Sequence, residues 1–338
     1  MDHRHFKKLL PLALIAASVA GCGGDDEKAQ PAEGTLGPAA ARPIQVGGSP
    51  IAVAAGEGAV WVADNTGGTV TRIDPTTGAA HPDPIRVGSG PEAIAVGGGG
   101  VYVACGDDSV WRIDPTTGEA TRAPVTIGDP AGIAVGDGEV WVTSASEGTV
   151  ARLDPATLAL EGEPIAVGAQ PGDVVVGDGR AWVANVRDGT VSGIDSSSGE
   201  VVNTVDAGEF GVFALALGDQ GLLAARTDDR LAREIQLVHI DQGSGEIDGD
   251  AVDVPGAVIP IRLAAGEDAV WVTIAGGPAP PNFEQRPAQI AYLADGESDL
   301  ASRRVGVDQR PTGIAVGYGR VWVASAEHGT VTPIDPQG

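Results

Sequence analysis

The chain has 338 residues, with 46 acidic and 21 basic side chains, and its formal net charge at pH 7 is −25. Because a chain this acidic repels phosphate backbones, we expect no binding to nucleic acid. A hydrophobic content of 42% suffices for a core, and 51 Gly and 24 Pro residues predict frequent turns. The two cysteines are too few for a zinc site built from cysteines.

The N-terminal residues have the pattern of an export signal. Residues 1–21 carry basic side chains, then a short apolar run, then small residues. The ending Val-Ala-Gly-Cys, residues 19–22, resembles the bacterial lipobox. This resemblance implies cleavage before Cys22 and attachment of a lipid to its thiol. An ordinary signal peptide followed by a chance cysteine is the alternative.

From this pattern we expect three segments. They are a signal peptide over 1–21, a lipidated Cys22 with a flexible tether over 22–41, and a folded domain over 42–338. The apolar run is too short to span a bilayer comfortably, so the lipid would be the only membrane anchor. We therefore expect an exported, extracytoplasmic protein that is lipid-anchored to the cell membrane.

Residues 42–338 are built from one repeated unit. Segments of alternating Val and Ile recur about every 40 residues, and each copy has a large side chain at the same point of its second segment. These seven positions are Trp61, Tyr102, Trp141, Trp182, Leu223, Trp271 and Trp322. Four short strands per copy, separated by Gly or Asp-Pro turns, are typical of a propeller blade. The sequence therefore predicts an all-β fold, a seven-bladed β-propeller of four-stranded antiparallel blades.

The repeated units share the patterns Gly-x-Pro-x-x-Ile-Ala-Val-Gly, Val-Trp-Val-Ala and Gly-Thr-Val-x-Arg-Ile-Asp-Pro. In these patterns the chain resembles bacterial propellers of the YVTN/YncE type and the streptogramin-lyase type, which are related to NHL repeats. The resemblance covers nearly all of 42–338 and implies the propeller fold. It leaves the function open, because this architecture serves many functions.

Residues that recur in every copy have structural explanations. The tryptophans lie in apolar strands, so we expect them to pack between blades rather than to stack on carbohydrate. Aspartates precede proline at 74, 114, 154 and 335, where an Asp-Pro turn explains them better than a metal site. Small residues such as Ala52 suit first strands crowded near the axis. Cys105 follows a strand and is expected to be a small buried thiol.

The repeat is interrupted in blades five and six. Both have longer loops between their second and third strands, at 227–233 and 275–287, and residues 209–213 depart from the pattern before blade five. We call the face with these loops, and with the loops that enter each blade, the top face. The sequence predicts an aromatic and basic rim on one side of this face, able to anchor a ligand or partner. Its candidate binding residues are Phe210, Arg226, Arg230, Phe283, Arg286 and Arg310.

The alternative for this rim is tolerated variation in loop sequence, with Phe213 simply part of the core. Other polar side chains, among them Glu92 and Asp173, are expected around the mouth of the axis. Solvated loop residues are the default explanation for most of these.

The last copy ends after its third strand. The N-terminal segment 42–47 has the pattern of the missing fourth strand. We expect this N-terminal strand to complete the last blade, because that pairing closes the ring without a bare sheet edge.

The lyase resemblance implies metal-assisted elimination that opens a cyclic depsipeptide, with histidines, an acid and Mg²⁺ at the central cavity. After residue 21 the histidines are His81, His239 and His328, and only the pair Glu327 and His328 is expected on the top face. One histidine and one acid can form a base but not that whole constellation. Glu327 and His328 are thus weak catalytic candidates, and a surface pair without a role is the alternative.

These patterns favour a binding module over an enzyme. We expect a lipid-anchored propeller that presents its top face to an envelope protein, a peptide or a small ligand, and that is a monomer. No cofactor or metal is expected, with Mg²⁺ needed only if the chain is a streptogramin-lyase-like enzyme, the alternative function.

Overall fold

The computed structural model describes residues 38–219, 221–227, 235–255, 261–266, 268–275, 287–294, 300 and 304–337. These residues form strands and no helix, so no described segment is a helix long and apolar enough to cross a membrane. The strands build seven antiparallel sheets within the compact unit Leu36–Gly338. Each sheet is one blade, and the predicted all-β, seven-bladed propeller is confirmed.

The first strand of each blade borders the central channel. Five of these strands start with proline, which is tolerated at the first position of a strand, and then follow the pattern Pro-x-x-Ile or Pro-x-x-Val. The first strands are β3 (Pro50–Gly56), β7 (Pro91–Gly97), β11 (Pro130–Gly136), β15 (Pro171–Gly177), β19 (Val212–Gly218), β23 (Leu263–Gly266) and β27 (Pro311–Gly317). Each ends in glycine, close to the first strand of the next blade.

The second strand of each blade is covered on both faces by neighbouring blades, and this explains why it is apolar along most of its length. The second strands are β4 (Ala59–Asp64), β8 (Gly100–Cys105), β12 (Glu139–Ser144), β16 (Arg180–Asn185), β20 (Gly221–Arg226), β24 (Ala269–Ile274) and β28 (Arg320–Ser325). The turns before them are tight. In the first, Glu57 (φ 49°) and Gly58 (φ 78°) are both left-handed, as a two-residue hairpin turn of type I′ requires.

The third strands pair with the second strands residue by residue. They are β5 (Thr69–Ile73), β9 (Ser109–Ile113), β13 (Thr149–Leu153), β17 (Thr190–Asp195), β21 (Gln236–Ile240), β25 (Gln289–Ala294) and β29 (Thr330–Asp335). The fourth, outer strands are β6 (Ile85–Arg86), β10 (Ala120–Arg122), β14 (Ile165–Ala166), β18 (Val201–Asp206), β22 (Ile247–Asp253) and β26 (Arg304–Gly306). Those of blades four and five are the long ones, and they carry the exposed side chains of Val201, Val202 and Ile247.

The core is divided into seven apolar clusters, and each cluster lies between two consecutive blades. Trp61 of blade one, for example, packs with Val101 and Val103 of blade two. Trp322 of blade seven packs with Val60 of blade one, so the last blade contacts the first. All five repeated tryptophans are 0–1% exposed, which confirms that they pack between blades.

Two short N-terminal strands lie beside the last blade. These are β1 (Ala39–Ala40), which precedes residue 42, and β2 (Ile44–Gln45), and both pair antiparallel with β29. Ile44 is the partner of Val331, and Ala39 is the partner of Asp335. Residue 44 therefore lies in the fourth-strand position of blade seven, while the contribution of this pairing to closing the ring stays a prediction.

Candidate functional site

The central channel contains a cavity of about 430 Å³. Its walls come from the first strands of all seven blades or from residues just before them, together with Val186, which follows the second strand of blade four. The first strands contribute the half that lies nearest the top face. A volume of roughly 300–1,000 Å³ is typical of small-molecule sites. The cavity is thus a candidate functional site at the mouth of the channel.

One position in these walls is almost always small. The strand pairings align seven residues, each three positions into its blade: Ala52, Ala93, Gly132, Asp173, Ala214, Arg262 and Gly313. The crowding explains the small residues, because a Cβ on Gly132 would lie 2.2 Å from the backbone oxygen of Gly172. Two charged residues of opposite sign, Asp173 and Arg262, break this pattern.

Asp173 is held in place from two sides. The backbone N–H of Leu215, in the next blade, donates to its Oδ2 at 2.8 Å, and the N–H of Val174 donates to its Oδ1 at 3.0 Å. Burial raises the pKa of Asp173, and these hydrogen bonds together with the charge of Arg262 only partly oppose that effect. The carboxylate is fixed, and as an ion it is costly in this position.

Arg262 lies on the other side of blade five. Its backbone N–H donates to the buried hydroxyl of Thr273 at 2.9 Å, and its guanidinium donates to the backbone oxygen of Ile261 at 3.0 Å. Across the described residues, no ion pair joins Arg262 to a carboxylate. Sequence reasoning missed this residue. An alignment of the seven first strands would have found it, because arginine stands where five copies have Ala or Gly.

Two further side chains in the cavity wall, one aromatic and one acidic, add to the groups that a ligand would meet. Phe213, between the strands of Asp173 and Arg262, lines the cavity and also packs against the core shared by blades five and six. Glu92, on the first strand of blade two, is a second carboxylate in the wall. Burial raises the pKa of Glu92, and the charge of Asp129 adds to this effect. The cavity therefore combines an aromatic ring with charges of both signs.

The predicted rim is described only in part. Phe210 lies between β18 and β19 and is 37% exposed. Arg226, at the end of β20, donates to the backbone oxygen of Ala207 at 2.9 Å and to Gln236 Oε1 at 3.2 Å. Arg310 is exposed in the loop before β27, with a left-handed backbone (φ 54°). The other candidates lie outside the described residues, and they are Arg230, Phe283 and Arg286, together with the lipidation candidate Cys22. The rim stays a prediction.

The two weak catalytic candidates are both exposed on the top face, at 327 and 328. The acid beside His328 is Asp308, whose Oδ1 lies 2.6 Å from the His328 Nδ1. Thr330 donates to the other Asp308 oxygen at 2.7 Å. Burial acts to raise the pKa of Asp308, but hydrogen bonds from Thr330, the Gln309 N–H and His328 outweigh it and lower that pKa. An Asp308–His328 pair is present, and Glu327 is adjacent to it in sequence.

The repeated aspartates and Cys105 have the structural roles that the sequence predicts. In the first Asp-Pro turn, Asp74 Oδ1 accepts from the N–H groups of Thr76 and Thr77 at 2.8 and 2.9 Å. These bonds lower the pKa of Asp74. Cys105 is buried with a free thiol, and burial raises its pKa to about 11. Within the described ranges no group of three or more His, Cys, Asp or Glu side chains is placed to hold a metal ion.

No protein-family model and no curated protein matches the chain. Among solved structures it is similar to a streptogramin B lyase, with a TM-score of 0.70 and 16% identity over 90% of this chain and 99% of that one. It is also similar to a catalytically inactive histidine-to-alanine variant of virginiamycin B lyase from Staphylococcus aureus, solved with quinupristin. The TM-score is 0.66, with 16% identity over 87% of this chain and 98% of that one. The similarity to U3-55K has a TM-score of 0.68 and 10% identity over 87% of this chain and 98% of that one. At these identities the similarity shows the propeller fold alone.

Proposed function

We propose that this propeller is a binding module that receives its ligand at the top face, at the mouth of the central channel. One observation carries the proposal. Asp173, Phe213 and Arg262 come from three consecutive blades and line the same cavity. At the aligned position of Asp173 and Arg262, the other five blades have only Ala or Gly. Fixed charges and an aromatic ring around a cavity are features of ligand sites rather than of packing between blades.

The ligand class that fits the rest of the top face is a protein, a peptide or another envelope component. The exposed ring of Phe210 and the exposed Arg310 are residue types that anchor interfaces. The predicted candidates Phe283 and Arg286 would extend the same rim. Nothing in this proposal needs a metal or a cofactor.

The test is comparative crosslinking of the full chain to cell-envelope extract. We expect a partner that is captured by the wild type and by Asp178→Asn, a control at the opposite face. Capture should fall about tenfold or more in the double variant Phe283→Ala, Arg286→Ala, because truncated interface anchors cost about 2 kcal/mol each. Equal capture by all three proteins, or no capture at all, would overturn the rim as the interface for a protein or peptide.

A streptogramin-lyase-like activity is the second candidate. The pair His328 and Asp308 on the top face, and the similarity to streptogramin B lyases, favour it. Incubation with a streptogramin B antibiotic decides between the two functions. A lyase should open the ring only with Mg²⁺ present and should fail after His328→Ala, whereas a binding module should leave the antibiotic intact with or without chelator.

The location of the binding module is part of the proposal. Supported by the pattern of residues 19–22, we propose that Cys22 carries the lipid that holds the protein at the membrane. Replacing Cys22 with Ser should move the protein from the membrane fraction to the soluble extracytoplasmic fraction. If the two proteins divide equally between the fractions, the lipid anchor is wrong.

A further inference from the structure

Asp173 and Arg262, two of the three charged residues in the cavity wall, occupy a position that carries no charge in the other blades. Asp173 and Arg262 stand at equivalent positions of blades four and six, and Ala214 stands between them in blade five. The other four equivalent positions are Ala or Gly. A packing role needs no charge here, because Ala or Gly completes the same wall in five blades.

The carboxylate of Asp173 is already oriented before any ligand arrives. Two backbone N–H groups fix it, and one of them belongs to the neighbouring blade. A carboxylate has about four acceptor positions, so it keeps capacity for a further donor. Such fixed groups lose little conformational entropy when a ligand binds.

The guanidinium of Arg262 has a complementary capacity. It offers five N–H donors in a planar fork, and the described contacts use it for one hydrogen bond, to the oxygen of Ile261. A fork of this kind is suited to a carboxylate held by two parallel hydrogen bonds. Because no ion pair joins Asp173 and Arg262 within the described residues, each charge remains available to a partner of opposite sign.

We propose that the cavity binds a small dipolar molecule of the amino-acid type. Asp173 holds its protonated amine, Arg262 holds its carboxylate, and Phe213 packs against its side chain. The cavity volume of about 430 Å³ suits a molecule of this size. Glu92 lies in blade two, outside the arc of blades four to six, and has no role in this assignment. This inference rests on the proposed function and names the ligand class of its channel site.

Isothermal titration calorimetry of the full chain tests this, with L-phenylalanine and the dipeptide phenylalanylglycine as probes of two charge spacings. We expect at least one of them to bind. Asp173→Asn keeps an acceptor for the Leu215 N–H but loses the charge, and Arg262→Gln loses the fork. Each variant should weaken binding about tenfold or more, as expected for hydrogen bonds to charged groups. The controls Asp178→Asn and Arg86→Gln remove surface charges and should bind as the wild type.

Modified probes pair each charge of the ligand with one side chain of the cavity. N-acetylation removes the charge of the amine, so the acetylated probe should bind wild type and Asp173→Asn equally. Amidation removes the carboxylate, so the amidated probe should bind wild type and Arg262→Gln equally. Binding that ignores both variants and both modifications would overturn the assignment.

The outcome for this site is separable from that for the proposed function. If neither dipolar probe binds, while capture at the top face still depends on Phe283 and Arg286, only the amino-acid inference is wrong. If capture also fails, the binding module itself is wrong.

Discussion

Asp173 shows how a single buried carboxylate can reduce stability. Its carboxylate lies in a channel wall where burial raises its pKa, and within the described residues its Oδ2 accepts a single hydrogen bond, from the Leu215 N–H. A raised pKa means that the folded state holds the ionised form less well than the unfolded chain does. The residue is therefore a cost to folding at neutral pH, which is a known pattern at functional sites.

Asp173→Asn should accordingly raise the free energy of unfolding at pH 7, by about 1 kcal/mol. The sign follows because the folded-state pKa of Asp173 lies above the unfolded value of about 3.9. The penalty is full above the folded-state pKa, shrinks as pH falls through it, and is absent below the unfolded value. Denaturant unfolding at pH 7 and at pH 4 would measure a gain that shrinks at the lower pH. Asp178→Asn, an equal change of net charge in an exposed turn, is the control. A loss of stability at pH 7 would contradict the prediction.

The tryptophans show a second regularity at the residue scale. Arg72 lies over Trp61 and Arg152 over Trp141, each from the paired position of the third strand. In blade four this paired position is Gly193, and the arginine comes instead from Arg180 of the second strand, beside Trp182. The cation–π contact is thus present in all three blades, although the arginine comes from the third strand in two of them and from the second strand in blade four.

At the scale of elements, the short strand β2 lies at the outer edge of the last blade. It pairs with only two residues of β29, yet its Ile44 packs in the cluster between blades seven and one. Without it, the backbone groups along that edge of β29 would be exposed, as at any unpaired sheet edge.

We therefore expect Ile44→Asp to destabilise the propeller by about 2–4 kcal/mol, because it places a charge in an apolar cluster beside the last blade. Thermal unfolding followed by circular dichroism measures this. The matched variant Gln45→Asp changes an exposed neighbour on the same strand and should have little effect. If both variants unfold at the wild-type temperature, the N-terminal strand does not secure the ring.

The sequence was most informative where the repeat was regular. Alternating apolar residues around Trp61 and its equivalents predicted the strands, since a position that recurs in seven copies is set by the same packing each time. The channel site was less accessible to this reasoning. Asp173 was visible as a polar residue near the axis, but its bond to the Leu215 N–H depends on how two blades meet. Arg262 was missed because the copy around Trp271 does not begin with the repeated Gly-x-Pro pattern.

At the scale of the whole molecule, the blades depend on one another. Each apolar cluster belongs to two blades, and the large side chain of one second strand completes the core of the next. Stability in such repeat arrays is carried by the interfaces between neighbours. Removing one blade from the circle would therefore expose two apolar faces in the remaining ring, one on each neighbouring blade.

The register of β1 and β2 fixes how residues 39–45 run along the last blade. Ala39 pairs with Asp335, the last residue of a strand that runs away from the top face, whereas Gln45 pairs with Thr330 at its beginning. Residues 39–45 therefore run along the full length of β29, from the face opposite the channel mouth to the top face. Ala39 and the cavity lined by Asp173 and Arg262 lie towards opposite ends of the blades.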